Sequence, residues 1–570
     1  MPPTESSFED YLPPAHDGNF DLFGVSVESI IETVATLENK ATHDFYGLSS
    51  FILKKIISSI ARPLSYIFTL SFQQGKIPHQ LKISKTIPIF KSGDKNDMNN
   101  FRPIGLIPTF SKILEKIVNN RLTNYLEINN LLYKHQYGFR KHHSTLHPMI
   151  HLLNEIALAT NGNEYLLGIF CDLQKCFDVL NREILLKKLE NVGIRGNSLA
   201  WFTDYFDGRL QYVNINDSAS EAGSPNLGVI QGSILGPTLT SIYLNDLYLS
   251  SNFLIFLFAD DSSCTIRGDD LVLLIETANN EFKKVAQWMR ANKLMLHPKK
   301  TKMMIFCNRM KKIDLNYCNV FLDNNDINVV MKNENLITPI ECLNRTENPH
   351  LRFLGLLLDP HLTFKCHITS LAQKLSKSLY ILKSVKNLLP AKVLLTLYYS
   401  IFHCHILYAL PAYGCADQSV LRQILILQKK AVRIISRSHY NSHTEPIFKS
   451  LGILQFFDLI EYVKIDFMHA VNKGKAPSSF STTWGGEHDL VDQFYLDLRN
   501  YRNYRVPFAR LNFSEKLPLH SFPKAWNNLD HELRDITYKK EFRNKLKDWF
   551  LSKLSTNISC NNPFCRDCFS

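Results

Sequence analysis

The sequence predicts an α+β protein, and three observations carry that prediction. Apolar runs of strand length occupy 165–171 and 254–258, and each leads straight into carboxylate, Asp172 after the first and Asp260 with Asp261 after the second. Apolar residues recur at helical spacing over 51–72, 109–126, 146–158 and 271–289. From His367 onward the helical period takes over, with lysines outside the apolar face, so strands are confined to the earlier part of the chain.

At 570 residues the chain can bury several cores without disulfides or a structural metal. A hydrophobic content of 45% with 21% charged residues excludes a disordered or collagen-like chain. The 65 Lys+Arg exceed the 53 Asp+Glu, and a net charge of +12 suits a polyanionic partner. Leu362 to Lys475 holds 15 Lys/Arg against 5 Asp/Glu, whereas the first 40 residues hold 8 acidic residues and one basic one, Lys40. No charged-then-apolar signal pattern opens the chain, and no apolar run approaches the roughly 18 residues of a membrane span, so an intracellular protein without a membrane segment is expected. Twelve scattered cysteines fit a reducing compartment; Cys560, Cys565 and Cys568 form the one cluster.

Taken in order, residues 1–45 read as an acidic, flexible lead-in with a short amphipathic helix at 25–37. The helix over 51–72 stops at Gly75-Lys76-Ile77-Pro78. An extended stretch from Ile83 to Lys91, the turn Ser92-Gly93-Asp94-Lys95 and a segment through Arg102 follow. Lys91 and Arg102 flank extended backbone, where a side chain either projects into a groove or is simply solvated. Gln136-Tyr-Gly-Phe-Arg140 is a basic, aromatic loop that suits nucleic-acid backbone and base stacking, and equally a plain turn.

Asp172 closes a strand and precedes a predicted helix through Phe177 to Leu189, where an N-cap role competes with a chemical one. Gly228 to Pro237 places three glycines in nine positions, which permits close backbone approach to a ligand. Leu254 to Ile266 reads as strand, two-carboxylate tip, strand, with Asp260 and Asp261 at the tip. Aspartates are common in turns. Neighbouring antiparallel strands would bring Asp172 beside them, and a hard divalent cation takes such oxygen ligands. A basic turn with Lys300 precedes the strand 303–307, and His350 to Asp359 reads as a further strand. Ile368, Leu371, Leu375, Leu379 and Leu382 share one helical face, with Lys374, Lys377, Lys383 and Lys386 outside it. Pro/Ser/Gly-rich composition at 473–486 predicts a linker, followed by a modest appended module around Trp526 and a helix at 539–554.

In order, the chain contains Pro88-Ile-Phe-Lys-Ser-Gly-Asp94, Asn100-Phe-Arg-Pro-Ile104, Gln136-Tyr-Gly-Phe-Arg140, Asp172-Leu-Gln-Lys-Cys-Phe-Asp178, Gln231-Gly-Ser-Ile-Leu-Gly-Pro237, Phe258-Ala-Asp-Asp261, Asn292-Lys-Leu with Lys300-Thr301, and Phe353-Leu-Gly355. This series resembles the reverse transcriptase of non-LTR (LINE-type) retrotransposons over roughly residues 45–475. The resemblance implies a right-hand polymerase fold: fingers at 46–165, a palm with an antiparallel sheet at 166–360 (reverse transcriptase core about 80–358), a basic helical thumb at 361–475, and a mostly helical C-terminal module at 476–570.

The implied activity is RNA-directed DNA polymerisation in target-primed reverse transcription, with RNA template, DNA primer or target and deoxynucleoside triphosphates as partners. Asp172, Asp260 and Asp261 match the positions that hold two magnesium ions, with manganese as a substitute, and Leu173 matches a carbonyl ligand. Phe177 matches the residue crowding the sugar 2′ position, Gln231 a nucleotide contact, Arg102 and Lys91 phosphate-binding positions, and Lys300 a proton donor to pyrophosphate. Assembly in the cytoplasm and reaction in the nucleus would follow.

Such elements usually carry an endonuclease ahead of the polymerase; only an acidic segment of about 45 residues precedes it here, so a longer product, a truncated copy or a separate endonuclease is expected. His297 stands where Asn is frequent, and Thr42-His43 stand where a Gly is expected before Asp44. The three C-terminal cysteines lack a fourth ligand, so free thiols compete with zinc. A catalytically silent nucleic-acid-binding remnant and an RNA-directed RNA polymerase are the rival readings; the intact carboxylates oppose the first and Phe177 the second.

Overall fold

The computed structural model describes residues 6–215, 218–323, 337–484 and 504–554. A mixed α/β architecture is built on a five-stranded sheet, in the order β11-β8-β3-β7-β6. Its strands are β3 (Tyr165–Cys171), β6 (Leu254–Phe258), β7 (Asp261–Gly268), β8 (Lys302–Phe306) and β11 (Glu341–Cys342). A second sheet joins β1 (Ile83–Phe90), β2 (Phe101–Leu106), β4 (Leu210–Ile215) and β5 (Ser218–Ala219) in the order β2-β1-β4-β5. Among the described residues two further antiparallel pairs occur: β9 (Phe321–Asp323) with β10 (Ile337–Pro339), and β12 (Leu351–Phe353) with β13 (Leu356–Leu358).

β3 and the middle of β6, apolar at every position, are buried on both faces, as are Ser262 to Thr265 of β7 although that strand is largely polar. Leu167, Ile169 and Cys171 of β3 point into one core, while Leu166 and Phe170 point into the other. The first core takes in the helices Ser50–Gln74, Thr109–Ile128 and Leu271–Ala291. The second takes in the helix Leu146–Asn161 and the C-terminal helices.

Five expectations need correction. Residues 8–35 are not a flexible lead-in: Phe20, Leu22 and Val25 are buried, and the Phe20 amide donates to Gly193 O (2.9 Å). The apolar residues among the acidic ones supply that packing. The predicted helix through Phe177 is broken into Cys176–Val179 and Arg182–Asn191, because Asn181 caps the second piece by accepting from the Ile184 amide. His350 to Asp359 is a hairpin, not one strand; Leu354 and Gly355 at its turn both have positive φ.

The predicted linker contains the helix Ser478–Trp484, whose Phe480 and Trp484 are buried, with the indole donating to Leu519 O (3.0 Å). Residues 485–486 and the cysteines Cys560, Cys565 and Cys568 lie outside the described residues. The module beyond is not a separate appendage, since Trp526 and Phe542 share the second core with Leu152 and Ile156.

A histidine cluster seals that junction. His135, His147 and His151 are buried, the His151 and Phe480 rings are 3.9 Å apart, and His151 Nε2 meets Ser479 Oγ at 3.0 Å. Burial, helped by Lys134, holds His135 down to about 4, and burial, with His143 and Lys539, holds His147 down to about 3. These groups remain neutral in the native state while the unfolded chain takes up protons below about 6.5. Their contribution to stability is therefore full above that pH and is lost as pH falls toward 4. Equilibrium denaturation midpoints between pH 7.5 and 4.5 are expected to drop, and His147→Phe is expected to flatten the decline.

Candidate active site

Strand register brings the three carboxylate residues to one end of the sheet. The last pair between β3 and β7 is Cys171 with Ser262, so Asp172, one residue on, abuts Asp261. Phe258 pairs with Asp261 across β6 and β7, which leaves Ala259 and Asp260 as a two-residue turn. Ala259 has φ +58°, so the chain reverses at the cost of a left-handed residue. Asp260 thus stands at the tip, and Asp261 is the first residue of a strand.

Burial at the sheet end, then the charges of Asp260 and Asp172, push the Asp261 carboxyl up to about 6. Lys300 Nζ lies 3.2 Å from Asp172 Oδ2 and offsets part of that repulsion. The turn carrying Lys300 is pinned to the same strand: the His297 amide donates to Asp172 O (2.8 Å), and the Gln174 amide to Met295 O (2.9 Å). Leu173 is buried between them, bridged to Leu296. Among the described residues no three His, Cys, Asp or Glu side chains stand close enough to hold a metal ion as they are placed. The donor set is nevertheless all-oxygen, and carboxylates that repel one another fit a hard divalent cation.

Phe177 follows Asp172 at the start of the Cys176–Val179 helix, and the Gly228–Gly236 loop packs on it. The Val229 amide donates to Phe177 O (2.8 Å), and a Cβ at Gly228, φ +74°, would lie 2.6 Å from the Phe177 and Asp178 carbonyls. Gly232, φ +116°, approaches Gly105 O in the same way, and the Gly105 amide donates to Gln231 O (2.7 Å). The loop's glycines therefore serve contact with the chain's own backbone rather than with a ligand. Gln231 Oε1 is buried without a hydrogen-bond partner. Glu115, 1% exposed, fixes this loop by accepting from the Ile234 amide (2.8 Å) and from Tyr205 Oη (3.0 Å), beside Arg209 at 3.6 Å.

Lys91 and Arg102 are exposed on the β1–β2 hairpin, and neither has an ion-pair partner among the described residues. The hairpin reaches the carboxylate strand through Lys175 Nζ and Asn99 Oδ1, 3.4 Å apart. The Gln136–Arg140 loop is a buttress rather than an open nucleic-acid surface. Tyr137 is buried, its amide donates to Leu257 O (2.8 Å), and Arg140 forms a two-pronged pair with Glu127 (2.7 and 2.6 Å).

A cavity of about 510 Å³ opens beside Asp172 and Asp261 and runs to Lys300, His350, Arg352 and Phe353. Glu115, Gly105 and the cavity's Arg352 were not anticipated. Glu115 did leave a signal, a carboxylate in helical phase with Ser111, Val118 and Leu122, all buried.

Residues 91–358 match the family model described as reverse transcriptase (RNA-dependent DNA polymerase). The chain carries a reverse transcriptase domain. Among curated relatives, the RNA-directed DNA polymerase from mobile element jockey of Drosophila melanogaster is 25% identical over 477 residues, covering 81% of this chain and 50% of the relative. The probable RNA-directed DNA polymerases from transposon BS and from transposon X-element of the same species are each 24% identical; the alignments cover 75% and 76% of this chain and 46% of each relative. The chain spans about half the length of these relatives. The matched residues run from Lys91 to the end of β13 and include all three carboxylates. Among the described residues no helix is long and apolar enough to cross a membrane.

Proposed function

We propose that the chain is the RNA-directed DNA polymerase of a non-LTR (LINE-type) retrotransposon, extending a DNA 3′ end on an RNA template by two-metal nucleotidyl transfer. The observation that carries this reading is the meeting of Asp172 with Asp260 and Asp261 at the end of antiparallel strands inside the matched domain. In this reading the central sheet is the palm, the β1–β2 hairpin belongs to the fingers, with β4 added from beyond the fingers segment, and the basic helix Lys365–Val385 opens the thumb.

Asp172, Asp260 and Asp261 would hold magnesium or manganese, with the Leu173 carbonyl as a further ligand, and ions held there would supply charge stabilisation for the attacking and leaving oxygens of an in-line displacement. Lys91 and Arg102, exposed and unpaired, bind the triphosphate. Phe177 excludes a 2′-hydroxyl, and Gln231 Oε1, a buried acceptor without a donor, receives one from the nucleotide. Lys300 releases Asp172 and carries its proton at Nζ toward the pyrophosphate. A nick from a separate endonuclease or a further part of the product supplies the primer, with assembly in the cytoplasm and reaction in the nucleus.

The test is primer extension on an RNA template with deoxy- or ribonucleotides and magnesium. Extension with deoxynucleotides supports the proposal; tight template binding without extension points to a silent remnant. Efficient ribonucleotide use points to an RNA-directed RNA polymerase.

Two further outcomes are expected. Phe177→Val should lower the kcat/KM preference for deoxy- over ribonucleotides by about 10- to 100-fold, as pocket-shape discrimination allows. Lys374, Lys377 and Lys383 are exposed on the Lys365–Val385 helix. Replacing all three by Gln should weaken template-primer binding and reduce the slope of log K against log salt by about 2 to 3.

A further inference from the structure

Phe139 is a bulky residue held in left-handed backbone, φ +58°, and is 49% exposed. Side chains of this size rarely adopt that conformation, and a hydrophobic ring gains little from standing in solvent. Both flanks force the conformation. On one side Gly138 is wedged against the Ala259-Asp260 turn, where a Cβ would sit 2.3 Å from the Ala259 nitrogen, and its amide donates to Gln136 Oε1 (3.1 Å). On the other side Arg140 is tied to Glu127 and donates to Tyr133 O (3.1 Å) and Gln136 O (3.2 Å). The backbone is clamped so that one ring is held out, and the side chain it meets is Phe177, edge-on at 6.5 Å between centroids and 86° between planes.

We propose that Phe139 is a positioning residue that sets nucleotide selectivity by backing the Phe177 ring. Phe177 stands on a four-residue helical turn that follows Lys175, itself at φ +47°, and its ring is only partly buried. Backbone contacts from Val229 and Gly228 hold its main chain, and the first core packs on one part of its ring, which leaves the remainder to Phe139. An edge-to-face neighbour restricts how far the ring can swing. Without that neighbour the ring turns aside and a ribose 2′-hydroxyl is admitted. The clamp also links selectivity to the catalytic turn, because the segment that presents Phe139 is the one that braces Ala259 and Asp260. This inference rests on the assignment of Phe177 as the sugar-contacting residue.

The test is steady-state single-nucleotide extension with deoxy- and ribonucleotides by the full chain and its Phe139→Ala, Phe139→Tyr, Phe177→Val and Phe139→Ala/Phe177→Val variants. Phe139→Ala is expected to lower the deoxy/ribo ratio of kcat/KM by about tenfold, chiefly through a lower KM for ribonucleotides. Phe139→Tyr should restore the ratio, and Phe139→Ala should add nothing in the Phe177→Val background. A ratio unchanged in Phe139→Ala, or an equal drop with and without Phe177, overturns the inference while leaving the Phe177 assignment standing. A ratio unchanged in Phe177→Val removes both.

Discussion

Asp260→Asn is expected to reduce RNA-templated primer extension by about 10³-fold or more while leaving template-primer affinity unchanged. The proposed role of Asp260 is to hold charge at the reacting centre, and removing such a ligand costs several kcal/mol of transition-state stabilisation. Its backbone neighbours do not depend on the carboxylate: Ala259 is braced by Gly138, and β6 and β7 stay paired. Asp172→Asn should behave alike, with the added loss of the Lys300 ion pair. Extension rates and filter-binding affinities measured on the same preparations separate the two effects. Near-native extension by either variant would sink the carboxylate assignment.

Glu115→Ala is expected to destabilise the fold by about 3 to 5 kcal/mol, read as a shift in the urea midpoint at constant slope. Arg209 is 2% exposed and would be left with a buried, uncompensated charge. The Ile234 and Leu235 amides would lose their acceptor at the same time. Burial raises the Glu115 pKa although Arg209 and the amide donors oppose it. Glu115→Gln, which retains an acceptor, should therefore be milder than Ala. Because these amides end the Gln231 loop, nucleotide KM should rise even where the protein remains folded. Unchanged stability in Glu115→Ala would show that the network contributes nothing net.

The carboxylates were legible because strand ends are local features: an apolar run, an acidic residue and a break are visible within ten positions. Their convergence was inferable once two such ends occurred in one chain. Arg140 was not legible, since its partner Glu127 is thirteen residues away on the helix Thr109–Ile128 and nothing in a basic, aromatic pentapeptide says which side faces inward. Phe480 and Trp484 were hidden by polar, turn-forming neighbours, and the core that receives them comes from Leu146–Asn161 and Pro518–Asn527. The pairing of β1 with β4 is parallel and spans more than a hundred residues, which no local pattern encodes. Glycines 228 and 232 were recognised as sites of close approach, but whether to a ligand or to the chain itself depends on tertiary neighbours.

A strand that is apolar on both faces has no polar side to oppose a slip in pairing, so β3 must be indexed by shape. Gly168 supplies the index: its bare backbone is covered by the Phe170 ring of its own strand, and a Cβ there would also lie 3.6 Å from the Phe306 ring of β8. Phe170 travels with β3, so register is felt at Phe306 of β8: displacing β3 by one residue would bring Leu167 or Ile169 to the place of Gly168 against that ring and carry Asp172 away from Asp261. The absent side chain at 168 thus works as a keyway toward β8, four residues upstream of the carboxylate that closes the strand.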